Sequence, residues 1–389
     1  MPLIRDVTLI LGLAALGAAA AYALIALIAT VVWKLRRPEE PNACAEPVSI
    51  LKPLCGAEPG LYEQLASFCR QDYPAYEVIF GIREPGDPAR AVVERLAVEF
   101  PGVPIRLVSD PRLHGSNYKV SNLINMLDHA RHDLLAVSDS DARVGPDYLA
   151  RVTAPLADRR VGLITSLYRA VPTPGIWSRV GAMYINEWYM PCVRLAWMFG
   201  HRGYVSGQTM CLRRSTLDAG GGLAALANHL PEDHRLGELV HTQGLSVQIS
   251  SYPVVGEHHE PSYRSLAQHE LRWMRTLRVL KPQGFAWLFL TFSLPLALLG
   301  LALVHLGAPS ATASRTALGL LAAALACRLA LHGSHRPVRE RRMVADLWLL
   351  PLRDLLLCWV WTRAFVNTRV TWRGHEFTVD PGGLMRRMS

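Results

Sequence analysis

The chain has 389 residues, half of them hydrophobic, and 41 basic against 32 acidic side chains give a net charge of +9. That length holds one large domain plus membrane segments, and no basic run is interleaved with aromatics as a nucleic-acid reader requires, so the positive excess points to an anionic bilayer surface and not to nucleic acid. The seven cysteines are scattered, odd in number and never spaced as Cys-x-x-Cys, which argues against a disulfide framework or a structural zinc site and for a reducing compartment.

Val7–Trp33 carries no charge and is long enough to span a bilayer. Lys34, Arg36 and Arg37 follow it and place that end in the cytoplasm. A cleaved signal peptide would be shorter and carry its charge in front, so residues 1–37 read as an uncleaved anchor. Pro38–Pro47 reads as a short linker.

From Val48 to about Val255 apolar runs alternate with amphipathic stretches. Strands are predicted at Val48–Leu54, Tyr76–Ile82, Val103–Val108, Leu134–Ser138 and Val161–Thr165, with helices at Leu61–Cys69, Pro88–Glu99, Val120–Ala130 and Pro146–Ala157. Alternation at this spacing predicts parallel βαβ units in a doubly wound α/β domain over residues 38–260. Tyr263–Leu280 places Leu266, Trp273, Leu277 and Leu280 at helical spacing with Arg272, Arg275 and Arg278 elsewhere around the wheel, so residues 261–284 read as an amphipathic interfacial helix. Residues 285–366 hold three further apolar segments, Phe285–His305, Thr316–Leu331 and Leu347–Val366. Arg328, Arg353 and Asp354 in the last two should face protein or water, and the basic connection Arg336–Arg342 should be cytoplasmic. Four full spans put the basic tail 367–389 on the far side of the membrane, unless one segment is re-entrant.

The chemistry centres on Leu134–Asp141, an apolar strand ending in Asp139-Ser140-Asp141. In strand geometry Asp139 and Asp141 share a face, where two acidic donors suit a hard divalent cation with phosphates; the alternative is a loop capping the next helix. Asp87, just past the second strand, suits a base or ribose, or equally a helix cap. His114–Asn122 puts a Gly/Ser turn before a helix that begins near Lys119, a phosphate cradle or a plain solvated helix start. Gly207–Arg214 reads as a glycine turn into a strand, structural or open to an acceptor. Glu232 and Asp233 open a helix, either as complements to its dipole or as a general base. His269 and Arg272 lie three apart on one helix and can meet a phosphate. The adjacent pair His258 and His259 lacks a spaced partner and reads as surface before metal site.

Taken together, Asp87, Asp139-x-Asp141, Glu232-Asp233 and Arg272-Trp273 occur in an order that resembles the membrane-bound glycosyltransferases of GT-A (nucleotide-diphospho-sugar transferase) fold. The phrases Leu51-Lys-Pro-Leu, Gln71-Asp-Tyr-Pro-Ala-Tyr-Glu-Val, Asp87-Pro-Ala, Lys119-x-x-Asn122-Leu, Arg143-Val-x-Pro-Asp, Val161-Gly-Leu, Leu217-Asp-x-x-Gly-Gly and Arg272-Trp273 resemble the ceramide glucosyltransferase family (family 21). His114-Gly-Ser-Asn and His269-Glu-Leu-Arg-Trp resemble its bacterial hopanoid-biosynthesis branch. The resemblance implies an inverting transfer from a UDP-sugar to a lipid hydroxyl, either N-acetylglucosamine to a hopanoid polyol such as bacteriohopanetetrol or glucose to ceramide, at the inner membrane with the catalytic domain facing the cytoplasm. It implies Asp233 as the base, Asp139 and Asp141 as ligands of Mg²⁺ or Mn²⁺, and Asp87, Lys119, His269, Arg272 and Trp273 as substrate-binding residues. The family usually has Gln or Arg where His269 stands, and often keeps only the first Asp of the Asp-x-Asp. Rival readings are a processive polysaccharide synthase, a polyprenyl-phosphate-type transferase and a non-enzymatic membrane scaffold.

Overall fold

The computed structural model describes residues 2–36, 46–334, 345–372 and 375–388; Arg336–Arg342 and most of the linker Pro38–Pro47 lie outside the described residues. The chain divides into two compact units, one of Arg36–Gly175, Gly200–His259 and Trp372–Ser389, the other of Met1–Leu35, Ile176–Phe199 and Glu260–Thr371.

The first unit is built on an eight-stranded sheet in the order β3-β2-β1-β4-β7-β6-β8-β5. Its strands are β1 (Val48–Pro53), β2 (Tyr76–Ile82), β3 (Ile105–Ser109), β4 (Leu134–Val137), β5 (Ala142–Arg143), β6 (Val161–Pro172), β7 (Met210–Arg213) and β8 (Ser246–His258). Strands β3, β2, β1 and β4 pair in parallel. Successive residues serve opposite faces, as the pleat demands. Ile50, Val78, Phe80 and Ala136 pack with Leu65 and Phe68 of helix Leu61–Cys69 and Val93 and Leu96 of helix Ala89–Glu99. Leu51, Ile79, Leu135 and Val137 pack with Leu123 and Met126 of helix Tyr118–Leu127 and Leu236 and Val240 of helix Glu232–Thr242.

The doubly wound pattern thus holds for four strands and then changes. β7 runs antiparallel to both β4 and β6, while β6 and β8 are parallel to each other. The order reverses at β1/β4, so the carboxyl ends of β1, β2 and β4 open onto a switch-point crevice, where such sheets bind ligands.

The second unit is helical. Pro2–Lys34 packs on Ser293–Leu306 through glycine: a Cβ on Gly12 would lie 2.7 Å from the Gly300 carbonyl, and one on Gly300 would lie 2.7 Å from that of Gly12. Small residues permit such close approach of apolar helices. Helices Leu3–Lys34 and Ala311–Ser334 are long and apolar enough to cross a membrane, consistent with a membrane protein. The segment expected as one span at Phe285–His305 is instead bent by 70° between Pro282–Thr291 and Ser293–Leu306. Pro295 explains the break, because it has no N–H for the Thr291 carbonyl and its ring crowds that oxygen. Helix Leu349–Ala364 has 16 residues, fewer than a straight span needs. The sequence allowed four spans or a re-entrant segment among them; the described residues hold two such helices, or three if the bent pair is one span.

The ionisable residues of these apolar segments face protein. Arg328 donates to Glu187 at 2.8 Å and to Asp354 at 3.0 Å, with His332 on the other Glu187 oxygen at 2.8 Å. Arg353, 2% exposed, pairs with both oxygens of Glu270 at 2.5 and 2.8 Å. Glu270→Ala strands the Arg353 charge and should cost about 3–5 kcal/mol, whereas Glu270→Leu with Arg353→Met should recover most of it. Thermal unfolding of the detergent-solubilised variants measures both; equal losses in the single and double variants would contradict the pairing argument.

Candidate active site

The site grows from the end of β4. The strand stops at Val137, so Asp139 and Asp141 lie in the following turn and not on a continuing strand. Adjacent residues of one loop meet them instead. The Asp139 N–H donates to the Gly207 carbonyl at 2.9 Å, and Gln208 Nε2 donates to Asp141 Oδ1 at 3.0 Å. The Gly207 N–H in turn donates to Asp233 Oδ2 at 3.2 Å, while Asp233 Oδ1 accepts from the His234 N–H at 2.7 Å. The single residue Gly207 therefore ties Asp139 to Asp233.

Lys119 crosses the same space. Its Nζ lies 2.5 Å from Asp139 Oδ1 and 2.7 Å from Glu232 Oε1. Burial alone would lower this amine, but Asp139 and Glu232 outweigh it and hold the lysine firmly protonated. Asn117 caps the Lys119 helix through Val120 N–H at 3.1 Å, and its amide donates to Glu232 Oε2 at 3.3 Å. Burial, then the neighbouring Glu232, pushes the Asp233 carboxyl up to about 7, with Lys119 pulling the other way. Burial and then Asp139 push Asp141 up to about 6. Acidic charge is in excess here, and two carboxylates against one loop suit a hard cation whose remaining ligands come from phosphate and water.

The backbone at 207 comes too close for a side chain. A Cβ there would lie 2.5 Å from Asp139 Oδ2 and 2.8 Å from Lys119 Nζ. Gly207→Ala should therefore displace the Asp139–Lys119 pair and lower kcat/KM roughly 10²-fold, since misplacement of about 1 Å has that effect. An unchanged kcat/KM at unchanged unfolding temperature would contradict it.

Asp87 ties two segments of chain together. Its carboxylate accepts from Ala89 N–H at 2.9 Å and from Gly56 N–H at 3.0 and 3.1 Å, which fixes the loop after β1 beside the start of helix Ala89–Glu99. His269, Arg272 and Trp273 belong to helix Tyr263–Leu280 of the second unit. There the His269 Nδ1 meets Glu260 Oε1 at 2.7 Å, and the Trp273 ring stacks on Tyr184 at 5.4 Å and tilts against His269 at 4.1 Å. His259 Nδ1 pairs with the Thr173 hydroxyl at 2.9 Å, and no cluster of three metal-ligating side chains occurs among the described residues.

Sequence reading missed Lys52. It is fully buried in β1, where its amine donates to the Asp139 carbonyl at 2.5 Å and the Ser138 hydroxyl at 3.3 Å and lies 3.7 Å over the Phe68 ring. Burial pushes this amine down to about 7, against the pull of Asp141 and Asp139. The signal was a lysine inside an otherwise apolar run of the kind a central strand buries. Gln208 was likewise legible only as part of a turn.

Sheet order, switch-point crevice and acidic turn define a glycosyltransferase fold of the GT-A type. A solved mannosyltransferase from Pyrobaculum calidifontis, PcManGT in complex with GDP-Man and Mn²⁺, shares the fold with a TM-score of 0.53 and 19% identity over 92% of this chain and 98% of that one. The model of glycosyl transferase family 21 matches residues 13–385, and the chain belongs to that family. Ceramide glucosyltransferase 1 of Caenorhabditis elegans is 24% identical over 254 residues, 64% of this chain and 54% of the relative. The ceramide glucosyltransferase of Komagataella phaffii is 33% identical over 110 residues, 27% of this chain and 22% of the relative. The chain spans about half the length of its first curated relatives.

Proposed function

We propose that the chain transfers a sugar, with inversion, from a UDP-sugar to the hydroxyl of a membrane lipid. The observation that carries this reading is the Gly207 bridge between Asp139 and Asp233, which sets a diphosphate-side carboxylate and a candidate base on either side of one glycine. The ceramide glucosyltransferase relatives support the lipid acceptor.

In this reading Asp139 and Asp141 hold Mg²⁺ or Mn²⁺, an expectation in keeping with the Mn²⁺ named for PcManGT. Such an ion supplies Lewis-acid neutralisation of the departing diphosphate. Lys119, between Asp139 and Glu232, adds a fixed positive charge on the same side. Asp233 takes the proton from the acceptor hydroxyl as its oxygen attacks the anomeric carbon and the diphosphate leaves from the opposite face. Lys52 fixes the turn that aims Asp139 through that residue's carbonyl. Asp87 holds the nucleoside through the loop it anchors, and His269, Arg272 and Trp273 serve the diphosphate or the acceptor by motif resemblance. The domain organisation follows the same reading: an anchor at 1–37, a catalytic domain at 38–260 facing the cytoplasm of the inner membrane, an interfacial helix at 261–284, membrane helices at 285–366 and a basic tail at 367–389.

The acceptor is a hopanoid polyol with N-acetylglucosamine as the sugar, or ceramide with glucose. UDP release by the purified protein with Mn²⁺, testing both donors against ceramide and bacteriohopanetetrol, separates them. Turnover with one pair fixes donor and acceptor together. Silence with all four pairs would withdraw the lipid assignment.

A further inference from the structure

We propose that the C-terminal segment His375–Met388 is a positioning clamp on the Lys119–Glu232 half of the site, a proposal that rests on the roles given above to Lys119, Glu232 and Asp233. The segment forms β10 (His375–Val379) and β11 (Met385–Arg387), which with β9 (Arg369–Trp372) make a three-stranded sheet in the order β11-β10-β9. The turn between β10 and β11 uses Gly382 and Gly383 at φ 88° and 87°, a left-handed conformation that favours glycine.

Beyond its own hairpin, the segment bonds to the chain just before Glu232. The Met385 N–H donates to the Asn228 carbonyl at 2.8 Å, and the Leu230 N–H donates to the Gly383 carbonyl at 2.9 Å. It also bonds to the chain just before Lys119, where the Ser116 hydroxyl donates to the Met385 carbonyl at 3.0 Å. Asn117, next in sequence, donates to the His229 carbonyl at 2.7 Å and to Glu232 at 3.3 Å. Tyr118, the residue before Lys119, is walled by Trp372, His375 and Phe377 at 6.3, 5.5 and 6.2 Å between ring centres, with the Arg83 guanidinium 4.8 Å from its own. Phe377 and Val379 are buried to within 1%.

Lys119 and Glu232 start different helices, and the distance between two helix starts is set by whatever joins their leading turns. The Gly383–Met385 backbone does so from outside, and Asn117 does so from inside. A tail folded onto the catalytic sheet also lies on the sheet's side of any membrane. Residues 260–371 then make an even number of complete crossings, so at least one of the three apolar segments there does not cross fully.

Full-length Phe377→Ala, Phe377→Leu and Gly383→Val test the clamp. Phe377→Ala and Gly383→Val should lower kcat tenfold or more with donor KM changed less than twofold, and Phe377→Leu should keep most of the wild-type kcat. Hydrogen exchange at 116–118 and 228–230 should quicken in Phe377→Ala, a readout independent of any sugar transfer. Wild-type kcat together with wild-type exchange in Phe377→Ala and Gly383→Val would overturn the proposal. If the wild-type protein itself transfers no sugar, the functional reading fails while the exchange measurement still decides the clamp. In sealed vesicles a C-terminal epitope should be digested in the same orientation as the catalytic sheet; digestion from opposite sides would also overturn it.

Discussion

Asp233→Asn should lower kcat by about 10²–10⁴-fold, the range of a positioned general base, while leaving UDP affinity nearly unchanged. Asp233 takes the Gly207 and His234 N–H groups on separate oxygens, and the one amide oxygen of Asn keeps one of them, so the variant holds the volume and half of the anchoring of the wild-type side chain. What is lost outright is the capacity to take a proton. Because burial first, and Glu232 second, raise the Asp233 carboxyl to about 7, the wild-type rate should fall as pH drops through that value, with a slope of one in log kcat/KM against pH. The residual rate of Asp233→Asn should lack this acid limb. Stability carries the matching sign. A carboxyl raised above its unfolded value favours folding at low pH, and that contribution is lost as pH rises through about 7. The Asn variant should therefore lack this pH-dependent loss, whatever it gives up through the missing acceptor. Normal turnover in Asp233→Asn would remove the base assignment.

Asp139→Asn should have the next largest effect, a loss of about 10²–10³-fold in kcat/KM, corresponding to the several kcal/mol that Lewis-acid stabilisation of a leaving group supplies. Its carboxylate is the one that meets Lys119, and its backbone meets both Gly207 and Lys52, so charge and architecture converge on it. Asp141 bonds to the neutral Gln208 amide, and burial and then Asp139 push its carboxyl up to about 6. Asp141→Asn should cost less than Asp139→Asn, and both should need more Mn²⁺ for half-maximal rate. Equal losses, or no change in Mn²⁺ dependence, would contradict the assignment of the turn as a metal site.

Much of this arrangement was legible because it is local. The apolar run Leu134–Val137 ending in two aspartates is visible in a short window, and the bounds read for Leu61–Cys69 and Tyr263–Leu280 coincide with the helices found. Antiparallel β7 between β4 and β6 was not legible, because its partners lie far away in sequence and a short apolar strand carries no sign of direction. For the same reason Gly207 read as a turn that was either structural or open to an acceptor, with no sign that it joins Asp139 to Asp233. The bend before Ser293 did have a local signal, Pro295, which hydropathy alone passes over. The tail read as a basic appendage because its pairing with Asn228 and Leu230 is long-range.

The most direct test of the account is the product itself. The purified protein, given an α-linked UDP-sugar, Mn²⁺ and the lipid acceptor, should yield UDP and glycolipid in equal amounts, and proton NMR of the glycolipid should show a β-anomeric linkage. That outcome is what a single displacement assisted by Asp233 predicts. An α-linked product, or UDP release without glycolipid, would contradict it.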